Sequence, residues 1–219
     1  MKHSNRLTWQ DISVQQFLDI YKLSTQPELE DIERLQRAVC ILFDKTEKEV
    51  DEMSMREFNL LSSQAAFVLT EDVPGKARRA IKANGKRYRV NYSPSKLRHR
   101  QYVEVVHFGD KPIENMHLVM ASIIEPVTWY GRREKNNADQ HEAIASDLLH
   151  AKVIDVYHSA VFFCKLYINL ISNTRGYLEQ QLVIQNKAET PEKASQMITD
   201  LIAAMVGFIP QKNFRILKV

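Results

Sequence analysis

Asn84-Gly85 is the dipeptide that most constrains this fold. A two-residue type I′ hairpin turn needs positive φ at both central positions, and Asn-Gly is the pair that adopts it most readily. The turn pairs Ile81 with Tyr88, and Val90 continues the same apolar face. It lies inside a segment, residues 76–100, that carries ten Lys or Arg and no Asp or Glu; the nearest acids are Asp72 and Glu104. The remainder of the chain reads as helical, so the expected architecture is mainly α: a multi-helix globular protein with a small β-hairpin insertion near 78–92.

The helical reading rests on local signals. Ser13 with Gln16, Thr46 with Glu49 and Ser54 with Glu57 all have capping-box spacing. Val14, Phe17, Leu18 and Tyr21 give the first helix its apolar stripe. A second is expected over 27–43, with Leu29, Ile32, Leu35, Val39 and Leu42 on one face. Leu7 to Gln10 reads as a short extended entry. Helical patterns follow at 96–108, 113–124, 138–150 and 153–172, with extension beyond Gly176, and Thr190-Pro191 caps a last helix. The tail 213–219 reads as a strand. Six Gly and seven Pro in 219 residues argue against an all-β chain. Expected regions are 1–72 (helical), 73–110 (basic hairpin plus helix) and 111–219 (helical).

The run 153–171 is long enough for a membrane span, but Asp155, His158, Lys165 and Asn169 interrupt it. It reads as a buried core helix with Tyr157, Phe162 and Leu166 inside. Cys40 and Cys164 sit in apolar helical patterns and read as buried free thiols. The polar start carries no apolar leader pattern, so a cytosolic location is expected.

No motif names a reaction. His141, Glu142, Asp147, His150 and His158 are close in sequence but form no His-x-x-x-His pair, so no metal site is expected and these histidines read as surface or cap residues. There is no Gly-x-Ser-x-Gly and no glycine-rich phosphate loop. Neither an enzyme nor a cofactor is expected.

Interaction is the remaining theme. Arg78, Arg79, Lys82, Lys86, Arg87 and Arg89 of the hairpin, with Arg98 and Arg100 beyond it, suit an acidic partner. Nucleic acid is one reading, with Tyr88, Tyr92 and Tyr102 available for stacking. An acidic protein is another, and a solvated strand face that resists edge pairing is the third. The protein reading gains from residues 28–57, where ten acids meet five bases. Glu30 and Glu33 are candidate contacts there. An acidic and a basic face on one chain allow head-to-tail contact between copies. Trp129, Tyr130, Arg132 and Arg133 form a second candidate contact, being of the types that dominate interface hot spots.

Several segments in order carry a resemblance: Leu-Thr-Trp-Gln-Asp-Ile-Ser-Val-Gln-Gln-Phe (7–17), Glu-Lys-Glu-Val-Asp-Glu-Met (47–53), Arg-Glu-Phe-Asn-Leu-Leu (56–61), Asn-Gly-Lys-Arg-Tyr-Arg-Val (84–90), Leu-Arg-His-Arg-Gln-Tyr-Val-Glu (97–104) and Glu-Asn-Met-His-Leu-Val-Met-Ala-Ser (114–122). Over about residues 7–170 the chain resembles small proteins from the virion and tail gene clusters of tailed bacteriophages, including those of Bacteroides-type hosts. The resemblance implies a non-enzymatic role in tail or connector morphogenesis, as a ring component or a tail assembly chaperone. It further implies other phage structural proteins or further copies as partners, and a place in the host cytoplasm during assembly or in the virion tail or neck. It carries over no catalytic residue.

Overall fold

The computed structural model describes residues 6–93, 96–109, 111–128, 138–184 and 187–208. The chain is mainly α-helical with one small antiparallel sheet. The N-terminal helices are α1 (Val14–Ser24), α2 (Asp31–Phe43), α3 (Glu47–Asp51), α4 (Met55–Ala65) and α5 (Phe67–Thr70). The hairpin strands β1 (Ala80–Ala83) and β2 (Lys86–Val90) follow, then α6 (His99–Phe108), α7 (Met116–Ile123) and β3 (Ile124–Pro126). A 3-10 turn, Ala138–Gln140, leads into α8 (His141–Leu149), α9 (Val153–Ile184) and α10 (Pro191–Phe208).

The helix starts follow their side chains. Ser13 Oγ accepts the Gln16 N–H at 3.1 Å, and Gln16 Oε1 accepts the Ser13 N–H at 3.0 Å. Thr46 and Glu49 repeat the reciprocal pair at 3.2 and 2.7 Å. Ser54 Oγ caps the Glu57 N–H at 3.2 Å. Each such cap contributes about 1 kcal/mol. The second helix begins at Asp31, later than the sequence suggests, because Glu33 accepts the Glu30 N–H at 3.0 Å and fixes the start there. The entry is a turn and not an extended segment: Asp11 Oδ2 accepts the Thr8 N–H at 3.0 Å and its hydroxyl at 2.6 Å.

The hairpin forms at the expected turn. Asn84 has φ 47° and Gly85 φ 73°, the two positive values a type I′ turn demands. The register pairs Ala80 with Arg89, Ile81 with Tyr88 and Lys82 with Arg87. Ile81, Ala83, Tyr88 and Val90 are buried, so one face of the ribbon lies on the core. A third strand, unforeseen from sequence, pairs with β2 through Tyr88–Pro126, Arg89–Glu125 and Val90–Ile124. Pro126 ends this edge strand, where its missing N–H removes no central ladder bond.

The core is built around α9. Val156, Ala160, Phe163, Cys164 and Tyr167 are fully buried, with Met116, Val119, Met120 and Ile123 of α7 and Leu148 of α8 in the same cluster. The buried positions recur at helical spacing, which leaves two expected core residues outside the stripe. Phe162 is 42% exposed, its ring packed edge-on against Tyr92 at 5.1 Å, and Leu166 is half-buried. Ile32 is likewise exposed on α2, at 56%. The window Val153–Gly176, with mean hydropathy 1.2, is long and apolar enough to cross a membrane by length and composition, and half of it is buried within the chain. Cys164 is buried and Cys40 half-buried; both are free. Burial pushes the Cys164 thiol up to about 12, far from reactive thiolate.

Candidate docking surface on the basic sheet

The basic hairpin is tied to the body at its base and near its turn. Before β1, the His158 ring Nε2 lies 2.8 Å from the Val73 carbonyl oxygen. A carbonyl only accepts, so this nitrogen carries the proton. Gly75, with φ +129°, lets the chain pass close to that ring; a Cβ there would sit 3.2 Å from His158 Cδ2. The Arg78 N–H donates to Ser159 Oγ at 3.0 Å, and the Arg78 guanidinium meets Asp155 at 3.0 Å. The Tyr92 hydroxyl donates to the Arg78 carbonyl at 2.5 Å.

The other tie is Asp147, buried on α8. Its carboxylate accepts Asn84 Nδ2 at 2.8 Å, Lys86 Nζ at 2.7 Å and the Tyr88 hydroxyl. Burial alone would raise this carboxyl. Hydrogen bonds from Lys86, Tyr88 and Asn84 outweigh it and hold Asp147 below the usual carboxylate value. The Tyr88 phenol is pushed the other way, by burial first and then by its bond to Asp147.

These contacts sort the expected binding cations. Arg78 and Lys86 are engaged internally, and Arg100 pairs with Glu104 at 2.6 Å. Arg98 is the N-cap of α6, its N–H held by Gln101 Oε1 at 3.0 Å. Arg79, Lys82, Arg87 and Arg89 are exposed. Strand alternation puts Lys82, Arg87 and Arg89 on the solvent face of the sheet, opposite the buried Ile81, Tyr88 and Val90. Lys82 stands directly across from Arg87, and like charges in facing positions destabilise a strand pair.

The tyrosines are already occupied. Tyr88 is 1% exposed. Tyr92 packs on Phe162, and Tyr102 on Tyr167 at 5.6 Å between ring centroids. Stacking on bases from these three rings would therefore require breaking packed contacts.

The acidic stretch 28–57 has a local cause as well. Three helices begin in it, and helix starts favour acids. Glu33 and Glu49 accept cap N–H groups, Asp31 meets Arg34 at 3.0 Å, and Asp51 accepts Gln36 Nε2 at 2.5 Å. Glu33 is thus a capping residue. Glu30 is exposed, as are Glu28 and Glu57. Near them in sequence lie exposed apolar side chains: Ile32 on α2, and Met55 and Leu60 on α4, at 56%, 69% and 57%. These two helices pack together.

His141 is a buried residue and not a surface one. Its Nε2 lies 3.1 Å from Ser122 Oγ and 3.2 Å from the Leu118 carbonyl, with its ring stacked on Phe108. Among the described residues no group of three or more His, Cys, Asp or Glu is placed to hold a metal. Trp129, Tyr130, Arg132 and Arg133, and the tail 213–219, lie outside the described residues.

Sequence reasoning missed the role of Asp147. The signal was present: it falls between Ile144 and Leu148 at helical spacing, which puts an acid on the buried side and demands donors. Compared with protein-family models, with curated proteins and with solved structures, the chain matches none.

Proposed function

We propose that this chain is a non-enzymatic assembly protein that receives an acidic protein surface on the outer face of its sheet. The carrying observation is the facing pair Lys82–Arg87, both exposed and in none of the ion pairs among the described residues; Arg89 beside them faces Glu125 of β3. Two cations in facing positions cost stability, whereas Arg78, Lys86 and Arg100 are each neutralised by the chain itself. A surface that keeps such a cost is supported by what it binds.

The setting is the one the sequence resemblance implies: tail or connector morphogenesis of a tailed phage, in the host cytoplasm during assembly. The chain would act as a ring component or as a tail assembly chaperone. The burial of half the apolar window of α9 supports a core helix and not a membrane span. Nucleic acid is the second reading, favoured by the same cations, but Tyr88, Tyr92 and Tyr102 are committed to packing.

Deleting the gene in the phage that carries it tests the setting. Particle yield should collapse. Mass spectrometry of purified wild-type particles then separates the two roles: a ring component is present in fixed copy number, and a chaperone is absent. Normal yield without the gene overturns the proposal.

A further inference from the structure

We propose that Asn84 is a spontaneous deamidation site gated by its contact with Asp147, and that its conversion releases the hairpin tip from α8 irreversibly. Asn84-Gly85 is the one Asn-Gly pair in the chain. Both residues are exposed, and nothing lies within 4 Å of the place a Gly85 side chain would occupy, so the Gly85 nitrogen is open to solvent and unhindered. The chemistry needs only water. The Gly85 nitrogen attacks Asn84 Cγ; the N–Cγ bond forms, the Cγ–Nδ2 bond breaks, and ammonia leaves with the proton of the Gly85 N–H. Water then opens the cyclic imide. Addition at Cγ gives aspartate, and addition at the Asn84 backbone carbonyl gives isoaspartate, whose main chain is one methylene longer. Nothing is oxidised or reduced.

The site reacts when the turn opens. A type I′ turn sets ψ at about +30° at its first central residue, which holds the next nitrogen away from Cβ. The five-membered ring needs that nitrogen and Cβ on the same side of the Cα–C bond. The positive φ values of Asn84 and Gly85 show the turn closed. Asp147 fastens it from outside, taking Asn84 Nδ2 at 2.8 Å, Lys86 Nζ at 2.7 Å and the Tyr88 hydroxyl. Opening the turn costs these bonds as well as the Ala83–Lys86 pairing, so local opening of the tip paces the reaction.

Conversion is one-way. It replaces the Nδ2 donor with a carboxylate oxygen that faces the ionised carboxylate of Asp147. Like charges at hydrogen-bond distance cannot both stay ionised without cost, and Lys86 is then shared between two acids. Isoaspartate also lengthens the two-residue loop that fixes the strand register. Both products unfasten the tip, and with it the fixed placement of Lys82 and Arg87. The modification site itself does not depend on what that face binds.

The test follows the full chain in mildly alkaline buffer, folded and in urea, by peptide mass spectrometry that separates aspartate from isoaspartate. Wild type, Asp147→Ala and Lys86→Gln are compared, with folding checked by circular dichroism and each folded rate divided by that variant's own rate in urea. Folded wild type should convert at Asn84 roughly tenfold or more below its unfolded rate. Asp147→Ala should remove most of that protection. Lys86→Gln, an exposed change that leaves α8 intact, should remove part of it. Asn84→Asp should melt below Asn84→Gly, because it adds a repelling charge to the lost bond. Equal rates in folded and unfolded chains, a folded wild type that never converts, or variants no faster than wild type would overturn the gate. Asn84→Asp that melts with wild type would overturn the release.

Discussion

Asp147 and Lys86 meet at 2.7 Å although 61 residues separate them. With Asn84 and Tyr88 on the same carboxylate, this contact fixes the hairpin to α8 and so sets which face of the sheet meets solvent. Replacing Asp147 by Asn puts an amide donor beside three donors. Asp147→Asn should lower the unfolding free energy by about 1–3 kcal/mol, measured by urea titration.

The same site carries a pH dependence of defined sign. The folded pKa of Asp147 is depressed. Its contribution is therefore fully present above the unfolded carboxylate value, about 3.9, and is lost as pH falls through the still lower folded value. The stability gap between wild type and Asp147→Asn should be constant from neutral pH to about 4 and narrow below it. A gap that closes between pH 7 and 5 would contradict the hydrogen-bonding scheme.

Gly85 has open space where a Cβ would go, and its φ of +73° is the constraint. Gly85→Val should cost on the order of 1–3 kcal/mol from backbone strain alone. Asn84→Gly should retain the turn but lose the bond to Asp147. Thermal melts should then rank wild type above Asn84→Gly, and Asn84→Gly above Gly85→Val.

Adjacent phenylalanines on α9 should behave differently. Phe163 is fully buried, and Phe163→Ala should cost about 3–5 kcal/mol. Phe162 is exposed and contributes mainly its edge contact with Tyr92, worth about 0.5–1.5 kcal/mol. Equal losses in chemical denaturation would contradict the placement of the buried stripe.

The features legible in the sequence were those with local causes. An Asn-Gly turn demands positive φ whatever surrounds it, and Ser or Thr with an acid or amide three residues on starts a helix unaided. β3 was hidden because it has three residues, no alternation to read, and a proline that resembles a helix stop. The apolar run from Val161 to Cys164 does not reveal which of Phe162 and Phe163 faces inward; the tertiary packing of α9, which contacts α7, decides it. The ten cations between 76 and 100 are indistinguishable as a sequence. Only the tertiary placement of Asp147 and Asp155 shows that Lys86 and Arg78 are neutralised at home, whereas Arg100 and Glu104 are a local i,i+4 pair on α6; Arg89 faces Glu125 only because β3 pairs with β2, and Lys82 and Arg87 face each other.

Arg87→Glu tests most directly whether the outer sheet face is kept for binding. It turns the facing Lys82–Arg87 pair into an attractive one, which should raise stability by about 0.2–1 kcal/mol. The account predicts opposite movements in one preparation: a melting temperature equal to or above wild type, and loss of assembly, read as particle yield in the phage and as oligomer size in solution. A variant that is no less stable and assembles as wild type does would show the basic face to be solvated surface. One that assembles normally but loses salt-sensitive retention on DNA would transfer the face to nucleic acid.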